Sequence, residues 1–222
     1  MELSITLTII IITAIVSFIA FSNHNLLEQF IFYPPAVRRG QFYRFFSCGL
    51  IHADWGHLIF NMLALYMFGG IVELRFAEVF GPSGKLIYLA MYVLALAVSV
   101  IPTYINNKDN YHYRSLGASG AVSAVIFAGI LFHPLVGVGL FFIPVYLAGF
   151  LFGIIYLVVS GWLDRKGGGN INHSAHIFGA LFGIGFTIIA CRIFSDYPVL
   201  QEFIDQIKGM SASDIIQTRG SY

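Results

Sequence analysis

Ser119 is the residue of this sequence whose surroundings most clearly suggest chemistry. It stands between Gly117 and Gly120 in the string G-A-S-G, near the polar end of an apolar run. A serine hydroxyl becomes a nucleophile when an adjacent base takes its proton, and neutral histidine is the usual base. His176 stands at a comparable depth in another apolar run. The two side chains together permit acyl transfer by a serine–histidine dyad.

Acyl transfer also requires hydrogen-bond donors for the charge that develops on the carbonyl oxygen. The first turn of a helix has backbone N–H groups without intrahelical partners, so the Ser119 N–H is a candidate donor. His57 and Asn61 stand on one face of a helix, four residues apart, and are candidate side-chain donors. In this interpretation Gly117 gives the turn before the serine its backbone freedom, and Gly120 leaves space beside the serine because it has no side chain.

The elements that must position these residues are apolar helices. The chain is 58% hydrophobic and 10% charged, against roughly 25% charged for a soluble domain. Six apolar runs approach the ~20 residues that a helix needs to cross a bilayer, and only helices satisfy their own backbone in lipid. The runs are 3–22, 50–72, 86–105, 116–133, 138–162 and 174–194. The sequence therefore predicts an all-α integral membrane protein.

The predicted architecture is a bundle of six transmembrane helices over residues 1–194. A short polar tail follows over 195–222, with apolar residues at helical spacing that predict a short surface helix. The second, fourth and sixth runs begin on the same side of the membrane, because two crossings separate each from the next. His52, His57 and Asn61 open the second run, Gly117 to Gly120 open the fourth, and His176 opens the sixth. We therefore expect one site, sunk below the surface near one membrane face.

Small residues at helical spacing predict which helix faces meet. In the fourth run Gly120 begins a row of small residues at steps of four. In the sixth run Gly179 and Gly183 lie on the face that carries His176. Small residues let helix backbones approach closely in lipid. Contact between these faces would bring Ser119 and His176 towards each other.

Other interpretations of the same residues stay open. Ser119 could be a packing residue, and His176 could donate a hydrogen bond to a backbone carbonyl. Asn61 could form a hydrogen bond that joins two helices. The clustered histidines permit a metal site but lack a tight spacing such as H-E-x-x-H, so we expect neither metal nor cofactor. A transporter is disfavoured because no internal repeat is visible. A net charge of +1 without a basic run gives no indication of nucleic acid.

The complete motif set resembles the rhomboid family of intramembrane serine proteases. The resemblance rests on H-x-x-x-x-H-x-x-x-N at His52, His57 and Asn61, on G-A-S-G at Gly117 to Gly120, and on A-H-x-x-G-x-x-x-G at Ala175, His176, Gly179 and Gly183. It covers the chain from the loop before the second run to the end of the sixth. Each motif alone is weak, but their order across six apolar runs is specific.

The resemblance implies a role for each of these residues. Ser119 would be the nucleophile, His176 the general base, and His57, Asn61 and the Ser119 N–H the oxyanion hole. The supporting residues would be His52, Gly117, Gly120, Gly179 and Gly183.

The resemblance also implies an activity and a setting. The substrates would be single-pass membrane proteins, cleaved in or near their transmembrane segment by an endopeptidase that is surrounded by lipid and uses no cofactor. By analogy, the fifth run would swing to admit the substrate. The site would face the extracytoplasmic or lumenal side, and we expect a multi-pass protein of a bacterial inner membrane. The alternative is an inactive relative that binds membrane proteins as a scaffold.

One position departs from the family pattern. Many relatives carry an aromatic residue one helical turn after the serine, stacked on the catalytic histidine, whereas this chain has Ser123 there. Phe127 lies a further turn along the run. The sequence leaves open whether another neighbour holds His176 or whether the ring is held less firmly.

Overall fold

The structure is a computed structural model that describes residues 4–139, 145–167 and 171–218, and it is a bundle of helices with one small sheet. The helices are α1 (Ile5–Ser22), α2 (His24–Phe30), α3 (Pro34–Arg38), α4 (Arg44–Ser47), α5 (Trp55–Phe80), α6 (Gly84–Asn107), α7 (Ser119–Phe132), α8 (Gly149–Lys166), α9 (His173–Phe194), α10 (Val199–Lys208) and α11 (Ala212–Ile215). The strands are β1 (Gly137–Gly139), β2 (Val145–Ala148) and β3 (Ile216–Thr218). Within these ranges, the sheet is the departure from the predicted all-α class.

The central helix of the bundle is α7, which packs against α5, α6 and α9. All of its residues except Ser119 and Ile126 are buried. It has 14 residues and is therefore ~21 Å long, shorter than the ~30 Å hydrocarbon core of a bilayer. A helix of this length in a membrane leaves at least one of its ends below the surface, and the sequence predicts that the sunken end is the one that carries Ser119.

The first residue of α7 is Ser119, whereas the sequence predicted a start at residue 116. Backbone hydrogen bonds hold the preceding residues outside the helix. The N–H groups of Phe32 and Ser115 donate to each other's carbonyls at 2.9 and 3.1 Å, and the Gly117 N–H donates to the Cys48 carbonyl at 2.9 Å. Because this segment pairs with the first loop, it is not free to form helix hydrogen bonds.

The second predicted span, 50–72, differs from α5 at both ends. The Asp54 carboxylate accepts a hydrogen bond from the His57 N–H at 2.8 Å, which caps the helix and sets its start at Trp55. At the other end the helix continues to Phe80 and stops at Gly81, whose φ is 57°. A turn over Gly81–Ser83 then leads into α6.

Helix α5 continues past residue 72 because the charged residue that interrupts its apolar run has partners. Glu73 is only 6% exposed. Its two carboxylate oxygens accept hydrogen bonds from the N–H groups of Ile5 at 2.8 Å and Thr6 at 2.9 Å. These groups form the first turn of α1, where the helix dipole favours a negative charge. Glu73 thereby fastens α1 to α5.

The fifth predicted span, 138–162, is wrong in its first part. β1 and β2 form an antiparallel hairpin, and helix α8 begins only at Gly149 and extends to Lys166. Short apolar runs do not distinguish a strand from a helix by periodicity. Gly137 directly precedes this run and Gly139 lies in it, and both disfavour a helix. Residues 140–144 of the predicted span lie outside the described residues.

The C-terminal tail forms more structure than the predicted surface helix. The predicted helix is present as α10, and its first residue, Val199, is buried. β3 pairs antiparallel with β2 and becomes an edge strand of the sheet, opposite β1. The tail is therefore connected to the hairpin that precedes α8, although residues 219–222 lie outside the described residues.

Within the described residues, three stretches are long and apolar enough to cross a membrane: Ile5–Ser22, Trp55–Asn107 and His173–Phe194. The second of these consists of α5 and α6, which the turn over Gly81–Ser83 separates. The first, third and sixth predicted spans agree closely with α1, α6 and α9, and residue 3 lies outside the described residues.

Arg44 fastens the long connection between α1 and α5. The side chain is 7% exposed, and its guanidinium donates hydrogen bonds to the carbonyls of Glu28 at 2.9 Å and Ile31 at 2.6 Å. It also donates to Gln41 Oε1 at 2.7 Å. These bonds hold α2 and the start of α4 together on the side of the bundle that carries Ser115.

We expect Arg44→Ala to lower the free energy of unfolding by about 1–3 kcal/mol, because it leaves the carbonyl of the buried residue Ile31 without this donor. Thermal unfolding of the full chain in detergent micelles measures the change. The matched control is Arg39→Ala in the same connection, since Arg39 is exposed. Equal unfolding temperatures for the two variants would contradict the prediction.

Candidate active site

Ser119 and His176 form a hydrogen bond in the structure. The distance from Ser119 Oγ to His176 Nε2 is 2.8 Å, and both residues are half-buried. Ser119 is the first residue of α7, and His176 lies in the first turn of α9. The fold thus brings the two residues that sequence spacing singled out to within reach of proton transfer.

Close packing of α7 on α9 produces this distance. A Cβ atom on Gly179 would lie 2.0 Å from the Gly120 carbonyl oxygen, and one on Gly183 would lie 2.2 Å from the Ala124 carbonyl oxygen. Both distances are far below van der Waals contact, so only glycine fits at either position. The two small-residue faces predicted from the sequence therefore meet, starting at the residue after Ser119 on α7 and one turn after His176 on α9.

Asn172 fixes the start of α9, and the sequence reasoning did not single it out. Its Oδ1 accepts a hydrogen bond from the Ala175 N–H at 3.0 Å. Its Nδ2 donates to Thr103 Oγ1 at 3.0 Å and to Ser115 Oγ at 3.3 Å. An asparagine directly before an apolar helical run is an N-cap signal, which could have identified it. Asn172 joins α6, the segment before α7 and the helix that carries His176.

The predicted oxyanion residues lie beside the turn that precedes Ser119. Gly117 has a φ of 110°, and a Cβ atom there would lie 2.5 Å from Cε1 of the His57 ring. The His57 ring therefore packs directly on the backbone of this turn. Asn61 is 7% exposed and donates one hydrogen bond from Nδ2 to the His57 carbonyl at 3.0 Å. An amide nitrogen carries two protons, so a second donor remains on Asn61.

His52 lies behind these residues, before the first residue of α5, and is fully buried. The Ala118 N–H donates to His52 Nε2 at 3.4 Å, so Nδ1 carries the ring proton, which faces Ser17 Oγ at 2.9 Å. Burial, followed by the nearby His57, lowers the pKa of His52 to about 3. The ring is edge-on to His57, with centroids 4.9 Å apart. A neutral His52 thus supports both the His57 ring and the turn before Ser119.

A cavity of about 640 Å³ contains the candidate residues, including Ser119, His176, His57 and Asn61. A second cavity of about 750 Å³ also has His57 in its wall, together with exposed loop residues such as His112. The shared residues make the two cavities neighbours, and the second one lies on the side of the exposed loops.

An aromatic ring lies over the candidate base. Tyr156, in α8, stacks on the His176 ring with centroids 6.1 Å apart and an interplanar angle of 22°. Its hydroxyl is 2.8 Å from Ser123 Oγ. The sequence does not indicate which side chain stacks on His176, because Ser123 stands where many relatives have the aromatic residue. In the structure this side chain is Tyr156.

Two acidic residues lie in the walls of the cavities, Asp54 in the first and Asp164 in the second. Asp54 also caps α5. In the part of the chain that the structure describes, no carboxylate hydrogen-bonds to His176 Nδ1, and no three His, Cys, Asp or Glu side chains are grouped to hold a metal ion. The serine–histidine pair with its neighbouring donors is the candidate catalytic group among the described residues.

Comparison with known proteins agrees with this geometry. Residues 39–193 match the Rhomboid domain. Mitochondrial RHOMBOID-like protein 12 of Arabidopsis thaliana is 29% identical over 169 residues, which are 72% of this chain and 50% of that protein. Rhomboid protease GlpG of Haemophilus influenzae is 25% identical over 168 residues, which are 74% of this chain and 79% of that protein. The chain thus spans about half the length of the Arabidopsis relative. The match confirms the resemblance that the motifs carry: this chain belongs to the rhomboid family.

Proposed function

We propose that this chain is an intramembrane serine endopeptidase that cleaves single-pass membrane proteins in or near their transmembrane segment. The observation that carries the proposal is the 2.8 Å contact between Ser119 Oγ and His176 Nε2, inside a cavity enclosed by apolar helices. The family supports the activity, because one similar protein is a rhomboid protease.

In the first half of the reaction, His176 Nε2 takes the proton of Ser119 Oγ as this oxygen attacks the carbonyl carbon of the scissile peptide bond. The resulting oxyanion would receive hydrogen bonds from the Ser119 N–H, the free Nδ2 proton of Asn61 and the His57 ring. No side chain of the described chain caps the first turn of α7, which supports the backbone donor. The protonated His176 then gives its proton to the leaving amine, and the serine ester remains.

In the second half, water attacks the ester carbonyl while His176 takes one of its protons. The tetrahedral intermediate collapses, the proton returns to Ser119 Oγ, and the new carboxyl end leaves. The second cavity supports this step because exposed loop residues line it and it adjoins the cavity that contains Ser119. No cofactor enters the scheme.

The family and the apolar helices indicate an integral membrane protein. We further propose that α1, α5, α6, α7, α8 and α9 are its six crossings, and that the cavity opens on the extracytoplasmic or lumenal side. The bacterial inner membrane stays a prediction, since one similar protein is mitochondrial. The termini would then lie in the cytoplasm.

Co-expression with a tagged single-pass reporter tests the proposal. We expect the wild type to release a shorter fragment and Ser119→Ala to release none, because the variant lacks the attacking oxygen. A serine-reactive fluorophosphonate probe should label the wild type and not the variant, whatever the reporter. A wild-type chain that neither cleaves nor reacts would be a scaffold, and continued cleavage by Ser119→Ala would exclude this serine.

A further inference from the structure

Tyr156 is the aromatic side chain that contacts the proposed base, and it lies on a different helix from the serine. Its ring is nearly parallel to that of His176, at a centroid distance of 6.1 Å and an angle of 22°. These values are typical of offset stacking between aromatic rings. The stacked ring limits rotation of the imidazole, and thereby controls where Nε2 points.

Three contacts hold Tyr156 in this position. The ring lies 5.7 Å from Phe127 in α7 and 5.9 Å from Phe152 in α8, measured between centroids. The hydroxyl is 2.8 Å from Ser123 Oγ, and Ser123 is 2% exposed. Ser123 stands one turn after Ser119 on α7. One turn of α7 thus provides both the attacking oxygen and the partner of the ring that orients the base.

The base depends on this ring, since its other orienting contacts are few. Within the described residues, the side chain of His176 has the hydrogen bond to Ser119 and an edge-on ring contact with His173 at 5.8 Å. A hydrogen bond from a carboxylate to Nδ1, which fixes the ring in a triad, is not among the contacts of the described chain. Stacking therefore has to supply much of the orientation.

Few residues of helix α8, which carries Tyr156, are buried. All its residues are described, and the buried ones are Gly149, Gly153 and Ser160. A Cβ atom on Gly153 would lie 3.2 Å from the Phe127 ring, so the helices approach closely at that point. A displacement of α8 away from α7 would remove Tyr156 from His176.

We propose that Tyr156 is the positioning residue of His176, and that the alignment of the dyad depends on α8 being packed against α7. The proposal rests on the proposed function, since it concerns the same dyad. In many relatives the aromatic residue that stacks on the histidine is on the same helix as the serine. In this chain Ser123 stands at that position, and its hydroxyl bonds to Tyr156 on α8, which provides the stacked ring. The base is aligned only when the wall of the cavity formed by α8 is in place.

The test measures fluorophosphonate labelling of Ser119 and reporter cleavage with full-length protein in detergent. We expect Tyr156→Leu to lower the labelling rate and kcat by about 10- to 100-fold, as expected for a misaligned catalytic group, with KM changed less than about 3-fold. The matched control is Trp162→Leu on the same helix, whose ring is 60% exposed and should leave both rates unchanged. A folded Tyr156→Leu variant that reacts like the wild type would overturn the proposal.

A conservative pair of variants keeps the test decisive if Tyr156→Leu does not fold. Tyr156→Phe keeps the stacked ring, and Ser123→Ala is compatible with helix α7. Each variant removes the hydrogen bond between the hydroxyls of Tyr156 and Ser123. We expect each variant to lower the labelling rate by about 2- to 5-fold, and the double variant to lower it no further. Additive losses would refute the coupling. An unlabelled wild type would instead refute the proposed function, so the two failures are distinguishable.

Discussion

Replacing His176 with alanine is expected to abolish both proteolysis and the reaction of Ser119 with fluorophosphonates. The hydroxyl of Ser119 is a poor nucleophile, and the base that would take its proton is Nε2, at 2.8 Å. Without the imidazole we expect the labelling rate of the full-length protein in detergent to fall by about 10³-fold or more. The labelling rate and the yield of reporter fragment are the two measurements.

An exposed histidine in the wall of the second cavity provides the control for the His176→Ala variant. His112 is exposed and lines the second cavity, so His112→Ala should label within about 3-fold of the wild type. The double variant Ser119→Ala/His176→Ala should cleave no less than either single variant, because residues that act as one unit have non-additive effects. Labelling of His176→Ala at the wild-type rate would show that another group is the base.

The approach of Ser119 to His176 could be predicted from the sequence because it depends on backbone contact. Glycine has one reason to recur at helical spacing in a lipid-facing bundle, which is to let another backbone approach. Gly179 and Gly183 do meet the Gly120 region of α7 in this way. The number of apolar runs supplied the rest of the prediction. An even number of crossings separates the starts of the fourth and sixth runs, so Ser119 and His176 are expected near the same membrane face.

The neighbour of His176 was not predictable, because α8 has no polar pattern that marks one face. Tyr156 lies among other large apolar residues, and neither its spacing nor its type distinguishes it from a lipid-facing ring. Only the tertiary fold brings its hydroxyl to Ser123. The sheet was missed for a related reason. An apolar run predicts burial without specifying a helix, and β2 acquires a partner, β3, from the distant tail.

The second large effect is expected for Gly179→Ala. The added methyl would lie 2.0 Å from the Gly120 carbonyl oxygen, which belongs to a buried helix and cannot rotate away. Contact at ~3.5 Å requires α9 to move away from α7 by more than about 1 Å. We expect the free energy of unfolding to fall by about 1–3 kcal/mol. Displacement of His176 from Ser119 should lower the labelling rate by about 10²-fold.

Gly185→Ala makes the same change on the same helix in a different environment. A Cβ atom on Gly185 has no atom within 4 Å, so we expect unchanged labelling and equal or slightly higher stability. The comparison separates the effect of a methyl group on helix propensity from its effect on the α7–α9 contact. If Gly179→Ala and Gly185→Ala unfold and react alike, close backbone packing is not what aligns the dyad. If only Gly179→Ala loses stability and labelling, the packing at Gly179 sets the distance between Ser119 and His176. Gly179 would do so without contacting the reactive atom of either residue.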